Sequence, residues 1–168
     1  MNNQKTYFTR NGLVRINEEI TFLQKEIKVC NIKIGKTVEL DNDLRENPEF
    51  MALRTKAEYE LPNKIQKLVN LLDQHEVIED MEHIRKNLCT HVAVGHQVTL
   101  VDEDGNIRAL HLLGYGDSEP KENKLSYLTP LAQKLIDHEV GDEVILPSSQ
   151  GSRIYEIDAI IISPMLDC

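Results

Sequence analysis

Two carboxylates three residues apart, Asp43 and Glu46, are candidate ligands for a metal ion. They lie in the short acidic stretch of residues 40–50, between two long segments with helical spacing of apolar residues. Two exposed carboxylates hold Mg²⁺ poorly on their own, because this ion keeps its waters and is normally shared with substrate phosphates. They could instead complete the shell of an ion that already sits on a phosphodiester in another protein's active site. The pair therefore predicts a donated half-site rather than a self-sufficient one.

The same two residues also have a purely structural interpretation. Asp-x-x-Glu is a capping-box variant, in which Asp43 would cap a helix and Glu46 would reach back to it. Pro48 weakens this alternative, because it would then fall beyond the first turn, where its ring clashes and a backbone N–H is needed. A helix that begins at Asn47-Pro48 fits better, since Asn is a strong N-cap and Pro suits the first helical position. We therefore predict that both carboxylates lie in the turn before that helix.

Two segments with coiled-coil periodicity flank this turn. Apolar residues recur mainly at steps of three and four in both segments, and Thr9 is placed to cap the first. The two apolar seams are Leu13, Ile16, Ile20, Leu23, Ile27, Cys30 and Ile34, and then Phe50, Leu53, Ala57, Leu61, Ile65, Leu68 and Leu72. Seams of matching length predict an antiparallel helical hairpin with the carboxylate pair at its tip. Pro62 lies inside the second arm, where it should kink the helix or be absorbed by a local bulge.

After residue 94 the periodicity changes from that of helices to that of strands. The predicted elements are strands over His96–Val101, Ile107–Leu113 and Leu125–Tyr127, a helix from Thr129-Pro130 to about Asp137, and strands over Glu143–Leu146 and Arg153–Ile162. On the last strand, Tyr155, Ile157, Ala159 and Ile161 are expected to share one face. The predicted fold class is α+β, with an N-terminal antiparallel α-helical coiled-coil hairpin over residues 1–80 and a C-terminal antiparallel sheet with one short helix over residues 81–168.

Charge is divided unevenly along the 168-residue chain, whose net charge is −9. Through residue 70, 12 basic residues nearly balance 10 acidic ones, whereas from residue 71 onward 7 basic residues stand against 18 acidic ones. An acidic half repels phosphates, which argues against nucleic-acid contact there. It favours docking on a basic protein surface instead.

Cysteine usage and the termini indicate the compartment. The three cysteines form an odd set without a repeating spacing, which predicts a reducing cytoplasm rather than a disulfide framework. No apolar run approaches the length of a membrane span, so we expect a cytoplasmic protein with no membrane partner. Cys89, His91 and the histidines at 83 and 96 match no standard zinc spacing.

These motifs resemble those of the bacterial Gre transcript cleavage factors, of the GreA/GreB type. The tip motif of that family, small-Asp-[Leu/Arg]-x-Glu-Asn-x-[Glu/Asp]-[Tyr/Phe], is matched by residues 42–50. Residues 9–12 are similar to the family's Thr-x-x-Gly opening, and segments such as 113–115, 129–132 and 139–142 are similar to its C-terminal FKBP-like domain. The chain departs from the pattern at Asn42, where Gly is usual, at Leu128, where a polar residue is usual, and at Pro48 and Pro62.

The resemblance implies a transcription elongation factor that is not an enzyme by itself. It would dock on RNA polymerase through its FKBP-like domain and enter the secondary channel with its hairpin. Asp43 and Glu46 would be the catalytic and metal residues: they would help to hold Mg²⁺ shared with the polymerase active centre, so that the polymerase cuts backtracked RNA. No cofactor would be bound by the factor alone.

The resemblance also assigns supporting roles and partners. Tip support would come from Asn42, Leu44, Arg45 and Asn47, and polymerase docking from Leu128, Thr129 and Pro130. The factor would act as a monomer, and its contact with the 3′ end of the backtracked RNA would be indirect.

Three alternatives stay open at the level of sequence. A Gre-like regulator could occupy the secondary channel without promoting cleavage. An FKBP-type peptidyl-prolyl isomerase or chaperone could use the second half, whose aromatic residues are limited to Tyr115, Tyr127 and Tyr155. A coiled-coil adaptor would need the acidic tip only for solubility.

Overall fold

The computed structural model describes residues 5–40, 47–148 and 151–166. Its contacts group residues 14–74 into one compact unit, here called the hairpin unit, and residues 1–13 with 75–168 into another, the sheet unit. The division differs from the predicted boundary at residue 80, because the chain on both sides of the hairpin unit contributes strands that pair with each other. The predicted domains, residues 1–80 and 81–168, stay a prediction.

The hairpin unit is built from the predicted apolar seams. Helix α1 spans Arg10–Leu40, α2 spans Pro48–Thr55 and α3 spans Leu61–Leu72. Among the residues that the structure describes, its core cluster is formed by seam residues, with Leu23, Cys30, Ala57 and Leu61 buried and Ile27, Ile34, Leu53, Ile65 and Leu68 packed against them. Lys56 and Glu26 join the two arms through an ion pair of 3.5 Å. The predicted helical hairpin is confirmed.

Pro62 is accommodated by a change of helical pitch. Between α2 and α3, residues Lys56–Glu60 form a π-helical turn, and the N–H of Leu61 donates to the carbonyl of Lys56. The wider turn precedes the residue that has no N–H to donate, so the arm continues past the proline as α3. The predicted local bulge is confirmed.

The sheet unit contains two small sheets. Strands β1 (Thr6–Phe8) and β2 (His75–Val77) pair in parallel, and five further strands form a sheet in the order β5-β4-β3-β7-β6. These five are β3 (His96–Asp102), β4 (Ile107–Leu113), β5 (Lys124–Ser126), β6 (Glu143–Ser148) and β7 (Gly151–Ile162). Short helices α4 (Glu82–Arg85) and α5 (Pro130–Gln133) complete the unit, and no helix among the described residues is long and apolar enough to cross a membrane.

Several details of this unit differ from the sequence prediction, among them the short helix α4, since one short helix was predicted and two are present among the described residues. The sheet is mixed rather than antiparallel, because β5 runs parallel to β4 after a connection long enough for the chain to cross back. The strands β1 and β2 were not predicted, because they are short and pair with each other across the whole hairpin unit. Helix α5 ends at Gln133 instead of near Asp137, which adopts a left-handed φ of 70°.

The face predicted for β7 is wrong beyond Ile157. A β-bulge interrupts its pairing with β3, since Leu100 pairs with Ile157 and the next residue, Thr99, pairs with Ala159. The extra residue shifts the alternation of side chains by one position. Ile160 is therefore buried and Ile161 is 47% exposed.

The inner face of the five-stranded sheet carries the main core of the unit. Leu100, Leu110 and Ile157 are fully buried on three adjacent strands. They share one cluster with Leu135 and Ala132, the latter from α5. The helix therefore covers one face of the sheet.

Gly114 allows the backbone of the first strand to approach the end of β4. A Cβ at this position would lie 2.8 Å from the Cα of Phe8 and 2.8 Å from the backbone nitrogen of Thr9. The N–H of the next residue, Tyr115, donates to the carbonyl of Tyr7 at 2.8 Å. The glycine is thus required by contact with backbone atoms, which cannot rotate away.

Gly114→Ala should destabilise the protein, because the new methyl group must push the two backbones apart. The expected loss is about 2 kcal/mol in the free energy of unfolding, measured by urea denaturation. Gly35→Ala is the matched control: Gly35 lies inside α1, and a methyl group added there would have no atom within 4 Å outside its own helical turn. It should raise stability by about 0.5–1 kcal/mol, and equal effects of the two changes would contradict this account.

His96 is a buried histidine held in its neutral form. Its side chain is 1% exposed, and its Nδ1 accepts the N–H of Ala93 at 3.1 Å. His83 packs against it edge-on, with ring centroids 5.2 Å apart. Burial first, and the neighbouring His83 second, lower the pKa of His96 to about 4.

The protein should lose stability in mild acid because of His96. Its folded pKa is depressed, so the unfolded state binds a proton first as the pH falls. Neutral His96 makes its full contribution to the free energy of unfolding above about pH 6.5. This contribution declines as the pH falls towards 4, by roughly 3 kcal/mol in all. Urea denaturation at a series of pH values measures it, and His96→Gln should flatten the slope across this window. An unchanged slope in the variant would contradict the assignment.

Candidate functional site

The predicted catalytic pair falls, in the sequence, between the last residue of α1 and the N-cap of α2. Asp43 and Glu46, with Asn42, Leu44 and Arg45, fall within residues 41–46, which lie outside the described residues. Their roles as metal and tip residues therefore stay predictions. The helix ends on either side are described.

The start of α2 matches the prediction from the sequence. Asn47 has extended φ and ψ angles of −83° and 106°, and its side-chain oxygen accepts the N–H of Phe50 at 3.1 Å. Pro48 occupies the first turn, as its missing N–H permits. Because Asn47 is the N-cap, the capping-box interpretation of Asp43 does not apply to α2. Asn47, which was predicted to support the tip, thus has a defined structural role beside the carboxylate pair.

The start of α1 is held by a buried carboxylate that sequence reasoning missed. Thr9 caps the helix as predicted, since the N–H of Gly12 donates to its Oγ1 at 2.9 Å. The Thr9 hydroxyl donates in turn to Oδ2 of Asp117 at 3.0 Å, and the N–H of Gly114 donates to the same oxygen at 3.0 Å. Asp117 therefore connects the cap of α1 to the end of β4.

A second acid, Glu79, binds the first turn of α1 from another side. Its side chain is 5% exposed, and its two carboxylate oxygens accept the N–H of Arg10 at 2.9 and 3.2 Å. The guanidinium of Arg10 pairs with Asp80 at 2.9 Å. Negative charge at a helix N-terminus interacts favourably with the helix dipole and with its unpaired N–H groups. No local sequence signal links Glu79 to Arg10, because they meet only in the folded chain.

The predicted docking loop is held by hydrogen bonds of Thr129 and presents an apolar side chain. Oγ1 of Thr129 accepts the N–H of Ala132 at 3.3 Å, and the hydroxyl donates to the carbonyl of Ser126 at 2.8 Å. Pro130 occupies the first turn of α5. Leu128, next to this cap, is 47% exposed. Thr129 and Pro130 thus shape the loop, and Leu128 is free to contact a partner.

The tyrosines considered for an isomerase pocket serve as packing residues. Tyr127 packs edge-on against Tyr7 with ring centroids 5.2 Å apart, and its hydroxyl accepts the N–H of Tyr7. Burial raises the pKa of Tyr127. The ring centroids of Tyr115 and Phe8 lie 5.7 Å apart. Tyr155 is 9% exposed and belongs to the core of the sheet. The geometry gives no support to a substrate pocket lined by these rings.

The histidine and cysteine cluster considered at the sequence level does not assemble into a metal centre. His83 shares a hydrogen bond with the carbonyl of Val94 at 2.9 Å, His91 pairs with Glu139, and burial raises the pKa of Cys89. Within residues 5–40, 47–148 and 151–166, no three His, Cys, Asp or Glu side chains are arranged to hold a metal ion.

Solved structures of GreA-type proteins resemble this chain loosely. GreA factor homolog 1 of Thermus thermophilus is 18% identical, with coverage of 94% of this chain and 99% of that chain, at a TM-score of 0.40. A GreA/GreB elongation factor from Nitrosomonas europaea is 22% identical, with coverage of 66% and 88%, at a TM-score of 0.41. At these scores the likeness carries no argument about function.

Sequence comparison is more decisive. Residues 87–161 match the family described as transcription elongation factor, GreA/GreB, C-terminal. The transcription elongation factor GreA of Nautilia profundicola is 30% identical over 157 residues, which cover 93% of this chain and 94% of that protein. GreA of Sinorhizobium medicae is also 30% identical, with coverage of 93% and 96%. The chain therefore belongs to the GreA/GreB family of transcription elongation factors.

Proposed function

We propose that this protein stimulates RNA polymerase to cleave backtracked RNA, with Asp43 and Glu46 acting inside the polymerase active centre. The hairpin unit enters the secondary channel, and the sheet unit docks outside it through the loop at Leu128. The protein acts as a monomer and depends on the polymerase for the reaction itself.

The position of the helix ends is the observation that supports this proposal best. Helix α1 ends at Leu40, and Asn47 caps the next helix. Asp43 and Glu46 precede this N-cap in the sequence, so neither residue is needed in the first turn of α2, and as free carboxylates they can meet a partner. Family membership supplies the transcriptional context.

The chemistry of the pair explains the need for a partner. Mg²⁺ takes six oxygen ligands and, when bound, supplies a Lewis acid and an activated water. Two carboxylates provide only part of such a shell, so the polymerase and the RNA phosphate must provide the rest. Asp43 and Glu46 contribute oxygen ligands and orient the attacking water by accepting its hydrogen bonds.

Asp43→Asn and Glu46→Gln should each lower the cleavage rate of a backtracked elongation complex by about 100-fold, because one anionic ligand of the shared ion is lost. Gel analysis of end-labelled RNA at saturating factor measures the rate. The affinity for the polymerase should change by less than about twofold, since docking uses the sheet unit.

The matched control for that experiment is Glu39→Gln, which removes one exposed negative charge from the last turn of α1. Its cleavage rate should equal that of the unmodified protein. Unaltered cleavage in Asp43→Asn would refute the assigned mechanism. Binding without cleavage in the unmodified protein would identify a channel regulator instead.

Leu128→Gln should weaken the affinity for core RNA polymerase by about tenfold, because a central apolar contact typically contributes more than about 1 kcal/mol to binding. Binding is measured by fluorescence anisotropy with a labelled factor. Leu88→Gln is the control, since Leu88 is 46% exposed and lies elsewhere in the sheet unit. Equal affinities for the two variants would exclude the loop from docking.

A further inference from the structure

The face of the five-stranded sheet opposite α5, here called the outer face, carries several exposed apolar side chains. Four isoleucines on it are solvent-exposed: Ile107 by 72%, Ile145 by 60%, Ile161 by 47% and Ile154 by 39%. The register places them on one face, since Ile145 pairs directly with Ile154, and Val101 pairs with both Ile107 and Glu156. Clusters of exposed apolar side chains of this kind commonly mark interaction surfaces.

Two acids lie directly opposite each other on the same face. Glu143 of β6 pairs in register with Glu156 of β7. Like charges on directly paired strand positions destabilise a sheet. Among the described residues, no salt bridge reaches either carboxylate, so the repulsion is not relieved within the chain that the structure describes.

Both acids and one of the four isoleucines, Ile154, line a small groove of about 160 Å³. Its lining consists of Val101, Asp102, Glu103, Glu143, Ile154 and Glu156. Asp102 is already satisfied by Asn106 and by Arg153 at 2.9 Å. These hydrogen bonds, chiefly that from Asn106, lower the pKa of Asp102. The remaining negative charge of the groove therefore comes from three glutamates beside an apolar floor.

We propose that the outer face is a second polymerase-docking surface, whose groove takes a Lys or Arg side chain carried on an apolar protein segment. The aliphatic stem of such a residue packs on Val101 and Ile154, while its charged head lies between Glu143 and Glu156. A nucleic acid does not fit, because its phosphates are repelled by the same carboxylates. This inference rests on the proposed function for the identity of the partner, but it concerns a different surface from the loop at Leu128.

The test uses the full-length protein and core RNA polymerase. In the double variant Glu143→Gln with Glu156→Gln, the dissociation constant should rise about tenfold at low salt, and its dependence on salt should become weaker. The melting temperature of the free variant should be equal to or above that of the unmodified protein, because the opposed charges are gone. A merely structural role would lower both stability and affinity.

The matched control is Glu82→Gln with Glu122→Gln, which removes two exposed carboxylates from the same unit and gives the same change in net charge. It should leave the affinity within about twofold. Ile145→Thr, which keeps a β-branched side chain on the outer face, should also weaken binding to the polymerase, because the apolar segment packs there; unchanged binding would contradict this part of the proposal.

Weaker binding of the groove variant with unchanged control binding supports the inference. Equal binding of all variants, with cleavage intact, overturns it and leaves the proposed function standing. Failure of the unmodified protein to bind polymerase overturns both. Calorimetric binding of CaCl₂ or MgCl₂ that the groove variant loses would show an ion site and overturn the inference.

Discussion

The hydrogen bonds that buried carboxylates accept at the first turn of α1 are the interaction on which the rest of the structure depends. A long helix begins here with N–H groups that have no partner within the helix. Asp117 accepts from the capping hydroxyl of Thr9, and Glu79 accepts from Arg10. Both acids are buried, and a buried carboxylate without hydrogen-bond donors would cost folding free energy. The same oxygen of Asp117 also accepts a hydrogen bond from the N–H of Gly114. One side chain therefore fixes both the end of β4 and the start of α1.

Local sequence signals are sufficient to predict the hairpin unit. The seams of Leu23, Cys30, Ala57 and Leu61 follow from helical periodicity, and that periodicity depends only on neighbours in the chain. The cap at Asn47 and the π-helical turn before Pro62 follow from the chemistry of single residues. The placement of Asp43 and Glu46 at the tip stays a prediction, because both lie outside the described residues.

Features that depend on distant parts of the chain could not be predicted. The contacts of Asp117 and Glu79 join residues more than sixty positions apart, and no periodicity connects them. Because of the bulge in β7, Ile160 is buried and Ile161 is exposed. The alternation of residue types in the sequence continues through this point and predicts the opposite. The groove at Glu143 and Glu156 likewise appears only once β6 and β7 are paired. The sequence indicates the acidity of this half of the chain but not the arrangement of its carboxylates.

The parallel pairing of β1 with β2 has an evolutionary consequence. These strands are direct neighbours, with Phe8 beside Val77, although all of the hairpin unit lies between them in the chain. The helical arms are therefore an insertion whose two ends return to one fixed strand pair. Equal numbers of heptads could be added to or removed from both arms while that pair stays intact. The length of the two arms can thus vary without changing the pairing of β1 with β2.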